Sequence, residues 1–169
     1  TTRRVLGVQA TGPGTADKRI DVAAMAIAAG MTVDQLANAD LSYAPQYSQA
    51  MDNIHTAANV ARNKLDGHMA GVSPMEVRRM IDEREDFLFL DVRSPREYEQ
   101  VRLPGAKLIP LGALRGRLGE LPKDRPIVAF CSISLRGYEA ALTLRAHGFR
   151  DVKVMDGGIE MWPYEKLYG

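Results

Sequence analysis

Long apolar runs are absent from this 169-residue chain. None reaches the roughly 18 consecutive residues that a bilayer-spanning helix needs, so the sequence predicts no membrane segment. An excess of charge is absent too. Lys and Arg number 22 against 21 Asp and Glu, a net charge of +1, which gives no basic face for a phosphate backbone and argues against a nucleic-acid partner. Cysteine occurs once, as Cys131. A single thiol excludes an internal disulfide and any cage of several thiolates around a metal, and it fits a reducing compartment, the cytoplasm by default. The three histidines, His55, His68 and His147, lie far apart with no ligand spacing, so no metal site is expected. No initiating methionine or apolar targeting segment precedes Thr1-Thr2, and the chain reads as a piece of a longer protein.

What is present is ordinary for a soluble domain: 46% hydrophobic and 25% charged residues. The length suits one full domain with something smaller attached. Two unlike blocks meet where Leu65-Asp66-Gly67-His68-Met69-Ala70-Gly71 holds two glycines and little periodicity. This places a first block over 1–67, a linker over 68–72 and a second block over 73–169. The second block opens on Ser73-Pro74-Met75-Glu76: a serine N-cap, proline at the first helical position and a glutamate placed to complete a capping box. Val77, Met80 and Ile81 then share a face. Three apolar runs follow, Phe87–Leu90, Pro126–Phe130 and Val152–Met155, with helical spacing between them. Runs apolar throughout predict strands buried on both faces, and their alternation with helices predicts an α/β domain around a mainly parallel sheet.

The first block has a candidate strand at Arg4–Gln9. Helical spacing of Ile20, Ala23, Ala24, Ile27 and Ala28 ends at Gly30. Thr32-Val33-Asp34-Gln35 is a second capping box, and Asp52–Leu65 a third helix. Roughly seventy residues with one strand and much alanine make a thin core, which predicts packing against something else.

The densest chemistry is Phe130-Cys131-Ser132-Ile133-Ser134-Leu135-Arg136-Gly137, between a predicted buried strand and a helix expected from about Tyr138 to Ala146. Cys131 thus stands at the carboxyl end of a parallel strand, where open α/β sheets place their ligands. Backbone N–H groups of the loop and helix start would form an anion nest around the sulfur, and Arg136 adds a fixed cation at its rim. Such surroundings favour a thiolate able to attack a sulfur donor and to hold the resulting persulfide. The competing reading is a buried cysteine acting as a small hydrophobe, but that role requires neither the arginine nor the strand-loop-helix setting.

Residues Ser73–Gly169 resemble the rhodanese family. The resemblance rests on Leu90-Asp91-Val92-Arg93 with Glu97-Tyr98, Leu103-Pro104-Gly105-Ala106, the Cys131–Arg136 loop, Gly148-Phe149, and Asp156-Gly157-Gly158 with Trp162. It implies a rhodanese-like parallel sheet flanked by helices, with Cys131 as the catalytic residue carrying sulfane sulfur and Ser132, Ile133, Ser134, Leu135 and Arg136 as the persulfide-binding loop. The six-residue loop is shorter than that of the related dual-specificity phosphatases and arsenate reductases. Family loops often carry glycine where Ser134 stands, so a positive φ there would strain serine. The family's common Gly-His pair is replaced by Val101-Arg102, which puts preference for a small donor such as thiosulfate in doubt.

Other residues admit two readings each. Asp91, at the end of the first apolar run, either positions the loop and a neighbouring arginine, as the resemblance implies, or caps the turn after its strand. Arg93 either faces the site or pairs with Glu97 at helical spacing, and the spacing favours the pair. Gly157 and Gly158 fit a tight supporting turn, and Trp162 fits core packing.

Residues Thr1–Gly67 resemble the distal part of the dimerisation domain of pyridine nucleotide-disulfide oxidoreductases, through Gly7-Val8-Gln9-Ala10, Asp17-Lys18-Arg19-Ile20-Asp21-Val22, Gly30-Met31-Thr32 and Tyr43-Ala44-Pro45-Gln46-Tyr47-Ser48. The order of the blocks resembles coenzyme A disulfide reductases that end in a rhodanese domain, with this block as a partial, mostly helical unit. The resemblance implies FAD and NADH for the full-length enzyme, but neither for this chain, which has no glycine-rich dinucleotide fingerprint and no second cysteine. It further implies a homodimer, a small-molecule sulfur donor such as a coenzyme A persulfide, and a thiol acceptor. Tyr43 or Tyr47 would contribute to the partner subunit's active site, or else pack around the turn at Pro45. A catalytically silent interaction or dimerisation module is the alternative from another class.

Overall fold

The computed structural model describes residues 2–12 and 14–169. They fall into two compact units, Thr1–Gly67 and His68–Gly169.

In the first unit α1 (Ala16–Ala28) ends in a Schellman turn: Gly30 takes a positive φ of 65°, Met31 N–H reaches Ala26 O and Gly30 N–H reaches Ile27 O. The short α2 (Val33–Ala37) begins on a complete capping box between Thr32 and Gln35. Asp52 caps α3 (Asn53–Leu65) through Ile54 N–H, and the same carboxylate pairs with Arg19 at 2.6 Å, tying α1 to the start of α3. The core is thin, as expected: Val5, Ala23, Ala26, Leu36, Ile54 and Ala58 are its buried members. The strand expected over Arg4–Gln9 does not form. Only Arg4 finds a partner, an isolated antiparallel bridge to Thr32, because no neighbouring strand among the described residues lies beside positions 5–9.

The second unit contains, in order, β1 (Gly71–Val72), α4 (Pro74–Asp82), β2 (Leu88–Asp91), α5 (Pro95–Gln100), β3 (Val101–Arg102), β4 (Lys107–Leu108), α6 (Leu111–Leu114), β5 (Ile127–Phe130), α7 (Leu135–Ala146), β6 (Val152–Met155) and β7 (Leu167–Tyr168). The main sheet has the order β1-β6-β5-β2-β4 and is parallel throughout; β3 and β7 form a separate antiparallel pair. The three central strands divide their side chains between two cores, as the period of two requires. Leu88, Leu90, Ile127, Ala129, Val152 and Val154 face one layer with Leu114, Ala140, Ala141, Leu144 and Phe149. Phe89, Val128, Phe130 and Met155 face the other with Val77, Met80, Leu103 and Trp162.

Two sequence expectations are corrected. Residues 68–72 are not a free linker: Met69 is buried in the core, and Gly71–Val72 pairs with Val154–Met155 as an edge strand. A two-residue strand is too short to show periodicity. At α4, Ser73 caps Glu76 N–H, but the Glu76 carboxylate turns to Arg79 at 2.7 Å instead of closing the box.

Candidate active site

Asp91 and Phe130 are register partners at the carboxyl ends of adjacent parallel strands, so Asp91 and Cys131 emerge at the same edge of the sheet. From Cys131 the chain makes a short loop and enters α7 at Leu135, three residues before the expected start at Tyr138. Leu135 and Arg136 therefore belong to the first helical turn. Ser134 is the N-cap and carries a positive φ of 85°, the conformation that a glycine would adopt without strain. Its hydroxyl does not cap the helix; it donates to Met155 O at 2.9 Å. The first N–H groups of α7 thus start without a side-chain cap directly after the cysteine loop. Gly137 seats this turn on the strand: a Cβ there would lie 3.3 Å from the Phe130 Cα and from Val154 Cγ1.

The loop is held from below by the turn after β6. Ile159 and Glu160, in a single turn of 3-10 helix at Gly158–Met161, donate their N–H groups to the carbonyls of Cys131 (2.9 Å) and Ser132 (3.1 Å). Gly157 and Gly158 both have positive φ, and a Cβ on Gly158 would collide with those same two carbonyl oxygens. A Cβ on Gly157 would instead meet the Met161 side chain. Cys131 itself is 1% exposed, whereas Ile133 and Leu135 beside it are 68% and 62% exposed.

Arg93 does not pair with the Glu97 carboxylate as the spacing suggested; its Nη1 donates only to the Glu97 carbonyl, at 3.4 Å. It is buried with Asp91, and its Nε and Nη2 grip the Asp91 carboxylate at 3.0 and 2.6 Å while Nη2 also reaches Val101 O at 2.7 Å. Arg93 precedes the N-cap Ser94, so it lies off the helix on which an i,i+4 pair would form. Asp91 also accepts the Arg93 backbone N–H at 3.0 Å, so its carboxylate meets both the turn after β2 and the Arg93 guanidinium.

The carboxylate of Glu97 goes instead to the cysteine loop. It receives Arg136 Nη2 at 2.6 Å and Nη1 at 2.8 Å, and the Ser132 hydroxyl at 3.0 Å. A complete capping box with Ser94 fixes it at the third position of α5. The hydrogen bonds from Arg136 hold the Glu97 carboxyl well below the usual carboxylate range, against burial, with Ser94 and Ser132 adding to the effect. Conversely, Glu97 raises Arg136 above its ordinary value, and Cys131 adds smaller contributions by charge and by side-chain hydrogen bond. The sequence paired Glu97 with Arg93; its capping box, Ser94-Pro95-Arg96-Glu97 with proline at the first helical position, marks the start of α5 but not the partner of its carboxylate.

Tyr43 and Tyr47 lie in the first unit and are exposed, at 54% and 86%. Trp162 is buried against Phe89 and Tyr164. Among the described residues no group of three or more His, Cys, Asp or Glu is placed to hold a metal ion, and no helix is long and apolar enough to cross a membrane.

Comparison with known proteins matches these features. Residues 73–164 match the rhodanese-like domain family, and residues 1–55 match the pyridine nucleotide-disulphide oxidoreductase dimerisation domain. The crystal structure of reduced Bacillus anthracis CoADR-RHD covers 86% of this chain with a TM-score of 0.81 and 40% identity, and an NAD-dependent persulfide reductase from A. fulgidus covers 89% with 0.76 and 46%. The chain spans 26% of the length of each of those proteins. A sulfurtransferase of Allochromatium vinosum is 37% identical over 78 residues, which are 46% of this chain and 73% of that protein. A strand-loop-helix cysteine site on a parallel sheet, matched over more than half of the chain, makes this protein a member of the rhodanese-like domain family, its rhodanese-like domain preceded by a pyridine nucleotide-disulphide oxidoreductase dimerisation domain.

Proposed function

We propose that Cys131 is the sulfur carrier of a rhodanese-type sulfurtransferase domain. The observation that carries this reading is the placement of Cys131 at the end of β5, directly before the uncapped first turn of α7 and beside Arg136. Uncapped N–H groups and a guanidinium stabilise an anion at that point, whether thiolate or persulfide. The Cys131 thiolate attacks the outer sulfur of a donor R–S–SH; the donor's S–S bond breaks, RS⁻ leaves, and Cys131–S–SH remains. An acceptor thiolate then attacks the outer sulfur, becomes the new persulfide and releases the Cys131 thiolate. The N–H groups of the loop and of the first turn of α7 hold the negative charge in both steps.

The likeness to CoADR-RHD and to the persulfide reductase supports a wider setting: the tail of a flavin-dependent coenzyme A disulfide or persulfide reductase, cytoplasmic and homodimeric. FAD and NADH would be held outside this chain, and a coenzyme A persulfide is the donor that the setting favours. The first unit would join the dimer, its exposed Leu6, Met25 and Met51 covered by the rest of the assembly and Tyr43 or Tyr47 offered to the partner subunit. The burial of Cys131 within an apolar cluster favours a second reading, a silent rhodanese-fold module. Intact mass after exposure to an organic persulfide decides between them. A gain of one sulfur atom, lost in Cys131→Ser, supports the carrier; an unchanged mass with every donor leaves the silent module.

A further inference from the structure

The loop contains one cation, Arg136, and its charge is already engaged. Both Glu97 oxygens accept from it, at 2.6 and 2.8 Å, and the pair is about two-thirds withdrawn from solvent, with side-chain exposures of 35% and 32%. The nearby Arg93 is likewise spent on Asp91. Glu160, whose N–H holds the Ser132 carbonyl, is exposed and adds negative charge to the rim. The large exposed apolar side chains on the loop and on its supporting turn are Ile133, Leu135 and Met161.

We infer that Glu97 sets the charge class of sulfur donor that this site accepts. By occupying Arg136 through both oxygens it neutralises the loop's own cation, which a dianion such as thiosulfate would otherwise meet. An organic persulfide, which carries at most one charge on its sulfur end, loses less to this neutralisation, and an apolar arm next to that sulfur meets the rim of Ile133, Leu135 and Met161. The inference rests on Cys131 being the sulfur carrier. For thiosulfate the step would be attack of the Cys131 thiolate on the outer sulfur, with the S–S bond breaking to release sulfite and leave the persulfide anion on Cys131. It brings a dianion against a site that is net negative once the thiolate is counted with Glu97 and Arg136.

Glu97→Gln tests this without removing the cap of α5, because glutamine at that position closes the same box. The measurement is the second-order rate constant for sulfur loading on Cys131, followed by intact mass, with thiosulfate and with a benzyl persulfide as donors, at low and high salt. Removing one negative charge at ~8 Å from a dianion, in surroundings close to water in dielectric, should raise the thiosulfate-to-persulfide rate ratio by about fivefold for a persulfide that reacts as neutral R–S–SH. Salt, which should speed thiosulfate loading of the parent protein by screening repulsion, should do so less in the variant. Glu97→Asp, which keeps the charge, should hold the ratio near the parent value. If both rates fall together in Glu97→Gln and the ratio stays constant, Glu97 only supports the loop and the inference is overturned while Cys131 remains the carrier. If neither donor loads the parent protein, the carrier reading fails and this one with it.

Discussion

Asp91→Asn changes almost no volume and removes one buried charge, which isolates the electrostatic part of the Asp91–Arg93 pair. Asp91 is 0% exposed and Arg93 2%, so neither group is screened by water. The carboxylate accepts the Arg93 backbone N–H at 3.0 Å, Nε at 3.0 Å and Nη2 at 2.6 Å. An asparagine keeps one oxygen and turns an NH2 group toward the guanidinium, losing about two charge-assisted bonds worth ~1.5–3 kcal/mol each. That agrees with the ~3–5 kcal/mol cost of breaking one side of a buried ion pair. Urea unfolding followed by Trp162 fluorescence reports on this unit, since Trp162 is the chain's one tryptophan and is buried in it. With an m-value of ~2 kcal/mol/M the midpoint should drop by roughly 2 M at unchanged m. Asp91→Leu combined with Arg93→Met should cost less than Asp91→Asn alone, because no uncompensated charge is left inside. A loss under ~1 kcal/mol for Asp91→Asn, or a double variant as unstable as the sum of its parts, would refute the reasoning.

Three further outcomes follow from the same geometry. Gly158→Ala places a Cβ against the carbonyls of Cys131 and Ser132 at a φ of 58°, and should cost about 2–4 kcal/mol through overpacking and left-handed strain; a urea midpoint equal to the parent's would contradict it. Ser134→Gly relieves a positive φ but loses the bond to Met155 O, so its stability should stay within ~1 kcal/mol of the parent, whereas Ser134→Ala should fall ~1–2 kcal/mol below the glycine variant; equal melts for the two variants would count against strain at this position. Glu97 is depressed in the folded state by Arg136, so its contribution to stability is complete above the unfolded carboxylate value of ~4.3 and is lost as pH falls below it toward the depressed folded value. Glu97→Gln should therefore flatten the acid limb of the urea midpoint against pH, and an unaltered limb would show that the pair is not felt.

Much of this was legible from residues alone where burial leaves a mark. Phe87–Leu90, Pro126–Phe130 and Val152–Met155 are apolar throughout because sheet neighbours and two helix layers cover both faces, and they appear as β2, β5 and β6 within a residue at each end. Thr32 was readable as a cap because its side chain replaces a missing helix partner, and the helix read over Asp52–Leu65 appears as α3 with Asp52 as its N-cap. What escaped depends on distant partners. Arg4–Gln9 has the composition of a strand but only Arg4 finds a neighbour. Glu97 lies four residues from Arg93 in sequence, yet its partner is Arg136, 39 positions away, a pairing that only the sheet brings about. Residues 68–72 looked like a linker because an edge strand of two residues is specified by β6 beside it and not by its own pattern.

The central claim is that Cys131 takes up sulfane sulfur and hands it on. The most direct test is a single turnover: the chain is loaded with an organic persulfide, freed of donor, mixed with an excess of a thiol, and both the protein's mass and the thiol's persulfide are followed. The protein should lose one sulfur atom, the thiol should gain it in equal amount, and Cys131→Ser should neither load nor transfer. Sulfur that stays on the protein, or that loads equally well on Cys131→Ser, would contradict the claim.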